Sequence, residues 1–235
     1  MNKTNLKISA DALKWIALIT MFIDHIGAGI IEMRYPQLRT LDIVIRCIGR
    51  IAFPIFCYQI IEGYEHTRNR WKYALNLLVF LAISEIPFDF LIMERFSWGY
   101  QNVYWTLLIG LLAVMAMGFI EEKELKAGKV LEILAAVGIA LLADLLKTDY
   151  GAWGVFLIEI IFLTRKMDRR WQCLICSLFL CTHFSEIPGI VAFVLILFYN
   201  GERKNKINKY IFYSLYPAHL ALYVGIRYLL GMLGV

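Results

Sequence analysis

The sequence predicts an all-α polytopic membrane protein: a bundle of about nine transmembrane helices with its N-terminus in the cytoplasm. Three observations carry that expectation. Of 235 residues, 60% are apolar and only 18% charged, with mean hydropathy +0.63, which is more hydrophobic surface than one water-soluble core of this length buries. The apolar residues come in long runs. The basic residues fall in short clusters between those runs instead of along one face. Such a composition excludes a disordered chain and a disulfide-stapled secreted fragment. The net charge of +5 lacks the basic stripe with interleaved aromatics that nucleic acid requires, so the expected partner is the lipid bilayer and no nucleic acid.

The runs lie at 11–31, 41–61, 73–93, 102–120, 130–146, 152–164, 171–183, 187–199 and 209–230. The first four and the last approach the ~20 residues of a spanning helix. The middle four are short, and there the charges decide. Lys123, Lys126 and Lys129 form one cluster, Arg165, Lys166, Arg169 and Arg170 a second, and Arg203, Lys204, Lys206 and Lys209 a third. If all three face the cytoplasm, each stretch between them crosses an even number of times, as a hairpin turning at Lys147–Gly151 or at Phe184–Gly189. Sixteen of the 24 Lys and Arg residues then lie inside and four outside. A re-entrant hairpin over 171–199 keeps every charge on the same side and stays open as an alternative. The first run carries Lys14, Asp24 and His25 with no small-residue cleavage pattern behind it, so it reads as a span and not a signal peptide. With no tandem repeat or low-complexity tract expected, residues 1–235 read as one multi-pass domain of the cell membrane.

Charges inside a bilayer are costly and face a bundle interior or a wet cavity, so they mark the candidate site. Counted from the expected outer ends, His25 lies six residues deep, Arg46 five, Arg50 nine, Glu85 eight and Asp89 four. Arg46 and Arg50 share a helix face at i, i+4, as Glu85 and Asp89 do, which predicts a neutralising ladder between the second and third helices. Pro54 and Pro87 beside them are expected to bend their helices and free backbone carbonyls. Asp24 diverges from His25 by about 100° on a helix, so a carboxylate orienting the imidazole is expected from elsewhere, with Glu85 or Asp89 as candidates. His219 lies mid-span in the last helix and is a candidate for the same cavity. Glu159 is a mid-span acid with no local partner in sequence, and Asp149 and Glu186 fall in outer turns. The five cysteines sit within apolar runs. Cys173-x-x-Cys176 has no second pair or histidine at metal spacing, so the cysteines are expected as buried small hydrophobes with no metal bound.

Several blocks together resemble the TraX family. They are Leu13-Lys14-Trp15-Ile16-Ala17 through Ile23-Asp24-His25-Ile26-Gly27, Arg46-Cys47-Ile48-Gly49-Arg50 through Pro54, Glu62-Gly63-Tyr64, and Ser84-Glu85-Ile86-Pro87-Phe88-Asp89. Asn102-Val103 with Thr106-Leu107, Asp149-Tyr150-Gly151, and Tyr216-Pro217-Ala218-His219-Leu220 continue the series in order along nearly the whole chain. The resemblance implies acetylation of the N-terminal amine of a conjugative pilin. It also implies kinship with membrane acyltransferases that carry acetyl from cytoplasmic acetyl-CoA to extracytoplasmic sugars. In that wider group a basic residue, ten intervening residues and a histidine mark the first helix; Lys14 and His25 have that spacing, with Lys where Arg is more usual.

Acyl transfer from a thioester needs a base for the acceptor proton and donors for the oxyanion. On this reading His25 is the base, with Asp24, Arg46, Arg50, Glu85 and Asp89 as its catalytic surroundings. Asn102, Asp149 and His219 are candidates for the acceptor, a pilin amine or a glycan hydroxyl. Lys14, eleven residues and so ~16 Å toward the cytoplasm, would meet a phosphate of acetyl-CoA. Two rivals come from other classes: an ion- or proton-coupled transporter, and a non-catalytic membrane scaffold.

Overall fold

The computed structural model describes residues 7–203 and 208–233. Lys3, Lys204 and Lys206, counted above among the cytoplasmic charges, lie outside the described residues. The described chain is helical, with two isolated β-bridges. The elements are α1 (Ala10–Ile26), continued by a π-helical turn (Gly27–Ile31) into α2 (Glu32–Arg34); α3 (Arg39–Gly49); α4 (Ala52–His66); α5 (Arg70–Ile92); and α6 (Val103–Glu122). Then come α7 (Gly128–Leu145), α8 (Gly151–Leu163), α9 (Arg169–Leu180), a 3-10 turn (Phe184–Gly189), α10 (Ile190–Leu197) and α11 (Lys209–Met232). Each expected apolar run has become helix, and the expected turns Lys147–Gly151 and Phe184–Gly189 separate their neighbours.

Side chains set the helix starts. Ser9, Asn69, Asn102, Asp168 and Asn208 each accept a bond from a backbone N–H of the first turn that follows, satisfying donors a helix leaves unpaired. Four helical stretches are long and apolar enough to cross a membrane: Ala10–Arg34, Pro36–His66, Arg70–Ile92 and Val103–Glu122. The later segments are shorter or more polar. α9 has 12 residues and α10 has 8, so at 1.5 Å per residue they measure ~18 and ~12 Å, against a hydrocarbon core of ~30 Å. The Arg169 guanidinium donates to the carbonyl of Tyr199, tying the start of α9 to the end of α10.

The chain forms two compact units. One comprises Met1–Phe56 and Met167–Val235 and contains α1, α3, α9, α10 and α11; the other is Cys57–Lys166 and contains α5 to α8. The core of the second unit is built from small residues. Ala113 on α6, Ala140 and Ala143 on α7, and Ala152 on α8 close around Ile109 and Val155. Gly110 leaves room for Ile158, whose side chain would overlap a Cβ there. Close backbone approach of this kind is how helices associate where water offers no hydrophobic drive.

The prolines act differently from one another. The helix breaks between α3 and α4 just before Pro54, whose missing N–H cannot bond to the carbonyl of Arg50. Pro87 interrupts nothing, and α5 continues through it to Ile92. The bend expected at the second proline therefore does not appear as a break.

Candidate functional site

In the first unit, α1 brings Lys14, Asp24 and His25 to different faces. Lys14 lies 3.7 Å from Asp11 with its ammonium 5.3 Å from the Phe212 ring centre, and its side chain remains a third exposed. His25 is half-buried. Its Nδ1 lies 3.0 Å from the carbonyl of Met21 and 3.1 Å from Nε2 of His219 on α11. Its Nε2 has no hydrogen-bond partner among the described residues. Just beyond, α1 widens into the π turn. Arg227 donates to the Gly29 carbonyl there at 3.4 Å, and Tyr223 donates to the carbonyl of Phe22 at 3.3 Å, so α11 is fastened to α1 above and below the histidine pair. Such single π turns concentrate at functional sites.

Glycines admit the charges beside this pair. A Cβ on Gly49 would fall 2.1 Å from Asp24 Oδ1, and one on Gly27 would fall 2.9 Å from both Arg46 Cδ and Asp42 Oδ1. Their absence lets α1 and α3 close until Arg46 Nη1 donates to Asp24 Oδ2 at 2.5 Å. The second oxygen of Asp24 and Oδ1 of Asp42 are buried without a hydrogen-bond partner. One helical turn on, Arg50 Nη1 pairs with Glu186 Oε1 at 3.1 Å, and Gly189 sits against the Arg50 carbonyl, 3.0 Å from where a Cβ would fall.

The acids of the second unit meet neutral donors. Glu85 Oε2 accepts from the Asn102 side-chain amide and from Trp105 Nε1 at 3.0 Å. Asn102 is itself fully buried; its amide also donates to the Leu81 carbonyl, and its oxygen caps α6 at Tyr104 N, 2.9 Å away. Asp89 Oδ2 accepts from Ser97 N at 2.9 Å. Asp149 accepts from the Tyr100 hydroxyl, while neighbouring Asp144 accepts from Ala152 N at 2.6 Å beside Gly151, whose φ of +52° suits glycine. Glu159 is 3% exposed, with Oε1 unpartnered.

The structure thus brings His25, His219, Asp24, Arg46, Arg50 and Glu186 into one unit. Within this unit the carboxylates paired with Arg46 and Arg50 are Asp24 and Glu186. The ring of His25 is oriented by a backbone carbonyl and a second histidine, and among the described residues no carboxylate bonds to it. Asp24 faces away from its neighbour His25, as helix geometry requires, and is used on Arg46 instead. Among the described residues no group of three or more His, Cys, Asp or Glu is placed to hold a metal ion, and Cys173 and Cys176 are buried and not in a disulfide.

Glu186 is the site residue that sequence reasoning left in an outer turn, yet a signal for it was present. Ser185-Glu186-Ile187-Pro188 repeats Ser84-Glu85-Ile86-Pro87. Upstream, Ala52, Phe56, Ile60, Ile61, Arg70 and Trp71 recur one hundred residues later as Ala152, Phe156, Ile160, Ile161, Arg170 and Trp171. The α6 cap, Asn102 to Tyr104 N, likewise recurs as Asn208 to Tyr210 N on α11. These are scattered identities around one tetrapeptide that occurs twice.

Fold and site together define a class: an all-helical protein with four helices apolar enough to cross a membrane and a buried cluster of histidines and ion pairs. The model of the TraX protein family matches residues 9–227, and the chain belongs to that family. It is 28% identical to a probable fimbrial assembly protein, FimC of serogroup H1, from Dichelobacter nodosus, across 93% of this chain and 95% of that protein. It is 47% identical to an uncharacterized protein of Rickettsia prowazekii (strain Madrid E), across 52% of this chain and 58% of that one. No solved structure matches it.

Proposed function

We propose that this chain is an acyltransferase of the cell membrane that passes acetyl from cytoplasmic acetyl-CoA to an extracytoplasmic amine or hydroxyl. The N-terminus lies inside, following the bias of the basic clusters. The observation that carries the reading is the state of His25: Nδ1 is held from two sides while Nε2 remains without a partner, the arrangement a general base needs. The acceptor N–H or O–H gives its proton to Nε2 as its nitrogen or oxygen bonds to the acyl carbon. The C–S bond then breaks, and the departing thiolate takes the proton back from His25. Arg46, held in place by Asp24, and Arg50, held by Glu186, supply positive charge for the oxyanion. Lys14, partly exposed at the other end of α1, meets a phosphate of the donor. In this reading Glu85, Asp89, Asn102 and Asp149 brace α5 to α8 of the second unit, where each takes part in structural bonds.

The likeness to a fimbrial assembly protein favours a pilin-like amine as acceptor over a glycan hydroxyl. Purified protein in bilayers, given radiolabelled acetyl-CoA and a pilin N-terminal peptide, should transfer label, and His25→Ala should lower transfer by about 10²-fold or more while remaining folded. Transfer at the wild-type rate by His25→Ala, or none by the wild type with any amine or sugar acceptor, would sink the reading. A transporter would instead move its solute across sealed vesicles without consuming acetyl-CoA.

A further inference from the structure

We propose that His219 is a positioning residue for His25: its Nε2 lone pair holds the His25 ring in the Nδ1–H tautomer, keeps Nε2 of His25 open for the acceptor's proton, and then shares the charge that the proton brings. The consequence for catalysis rests on the acyltransferase reading above. The tautomer itself follows from geometry alone.

The proton positions can be deduced one at a time. Nδ1 of His219 lies 3.0 Å from the carbonyl of Leu215. A carbonyl only accepts, so that nitrogen carries the proton, and the neutral ring has a lone pair at Nε2. Nε2 of His219 lies 3.1 Å from Nδ1 of His25, and one of the two must donate, so the proton is on His25. The Met21 carbonyl, 3.0 Å from the same Nδ1, requires the same answer independently. With Nδ1 protonated, the lone pair of neutral His25 is at Nε2.

The neighbours hold His219 in this role and keep it from being the base. It is 5% exposed, and both its ring nitrogens are engaged. Phe22 stacks on it with ring centres 4.4 Å apart, and Tyr216 and Tyr223 each stand edge-on at 5.5 Å. Tyr216 also meets His25 edge-on at 5.9 Å. A ring caged in this way cannot turn to present its other nitrogen. Tautomer control matters because an imidazole protonated at the wrong nitrogen cannot accept the acceptor's proton, however well it is placed.

A second histidine also suits the surroundings in a way a carboxylate would not. Asp24 on the same turn is already matched by Arg46. A further ionised acid against His25 would add an unmatched charge in a low-dielectric interior whenever the base is neutral. A neutral imidazole gives the directional acceptor without that cost.

The test uses the intact protein in bilayers with ¹⁵N-labelled histidine, the His25 signals being assigned by their loss in His25→Ala. Wild type should show His25 protonated at Nδ1 and not at Nε2. His219→Phe keeps the ring volume but removes the acceptor, and His219→Gln returns an amide oxygen near the position of Nε2. In His219→Phe, kcat should fall about 10- to 100-fold, the worth of one hydrogen bond to a charged ring, with the KM for acetyl-CoA little changed. His219→Gln should recover most of the loss. A His25 protonated at Nε2 in wild type overturns the proposal, as does transfer by His219→Phe at the wild-type rate, or a Gln variant no better than Phe. If wild type transfers no acetyl, the acyltransferase reading fails and the spectrum alone decides the histidine pair. If His219→Phe does not fold, wild type against His219→Gln in the same spectrum decides it.

Discussion

The tetrapeptide Ser-Glu-Ile-Pro occurs twice and has two fates. In α5 it lies within an unbroken helix of 23 residues, and its glutamate is held by a neutral amide and an indole. Between α9 and α10 it forms a tight 3-10 turn, and its glutamate pairs with the Arg50 guanidinium. What precedes each copy makes the difference. Leu81-Ala82-Ile83 continue the helix. Before the second copy, the Cys181 thiol and the Thr182 hydroxyl bond back to carbonyls of Ser177 and Phe179, and His183 leaves the helix at φ −128°, ψ 108°. Gly189 then follows Pro188 where Phe88 follows Pro87, and its missing Cβ lets the turn sit against the Arg50 carbonyl. A local motif thus supplies a buried acid and a proline, while its flanks decide whether the acid braces a helix or neutralises a cation.

The contrast can be broken at either copy. The largest effect is expected from Glu186→Leu, which strips the buried carboxylate from half-buried Arg50 and should destabilise the protein by about 3–5 kcal/mol. Denaturant unfolding in detergent would measure it, and the double variant with Arg50→Leu should regain most of the loss. Next comes Asn102→Ala, which removes the α6 cap together with the bonds to Glu85 and the Leu81 carbonyl, for about 2–3 kcal/mol in the same assay. The smallest is Glu85→Gln, since an amide oxygen still accepts from Trp105, and a change of about 1 kcal/mol or less is expected. Should Glu85→Gln prove as damaging as Glu186→Leu, the two acids do the same work and the comparison fails.

Much of the helical architecture was legible in the sequence because its causes are local. Asn69, Asn102 and Asp168 stand at helix starts, the charge clusters punctuate the apolar runs, and the positions of Lys14, His25, Arg46 and Arg50 single them out. The pairings were not legible, since i, i+4 spacing gives a face and not what meets that face. Arg46 and Arg50 were matched in expectation to Glu85 and Asp89, the acids at like depth on the next helix, whereas the ion pairs found on them use Asp24, one residue from the histidine, and Glu186, more than a hundred residues away. Gly27 and Gly49 were read as parts of motifs; their role as the space into which Arg46 and Asp24 fit needed the helices in place.

By itself the sequence determined that this is a helical chain of long apolar runs, which it read as about nine spans where the structure has four helices long and apolar enough to cross a bilayer, and that it belongs with the TraX proteins. The helical character follows from composition, periodicity and local capping, each of which acts within a few residues, and the family from the motif blocks along the chain. Only the tertiary structure decided that His25 meets His219, because a hydrogen bond between α1 and α11 depends on two distant helices being held face to face by Arg227, Tyr223 and the π turn between them.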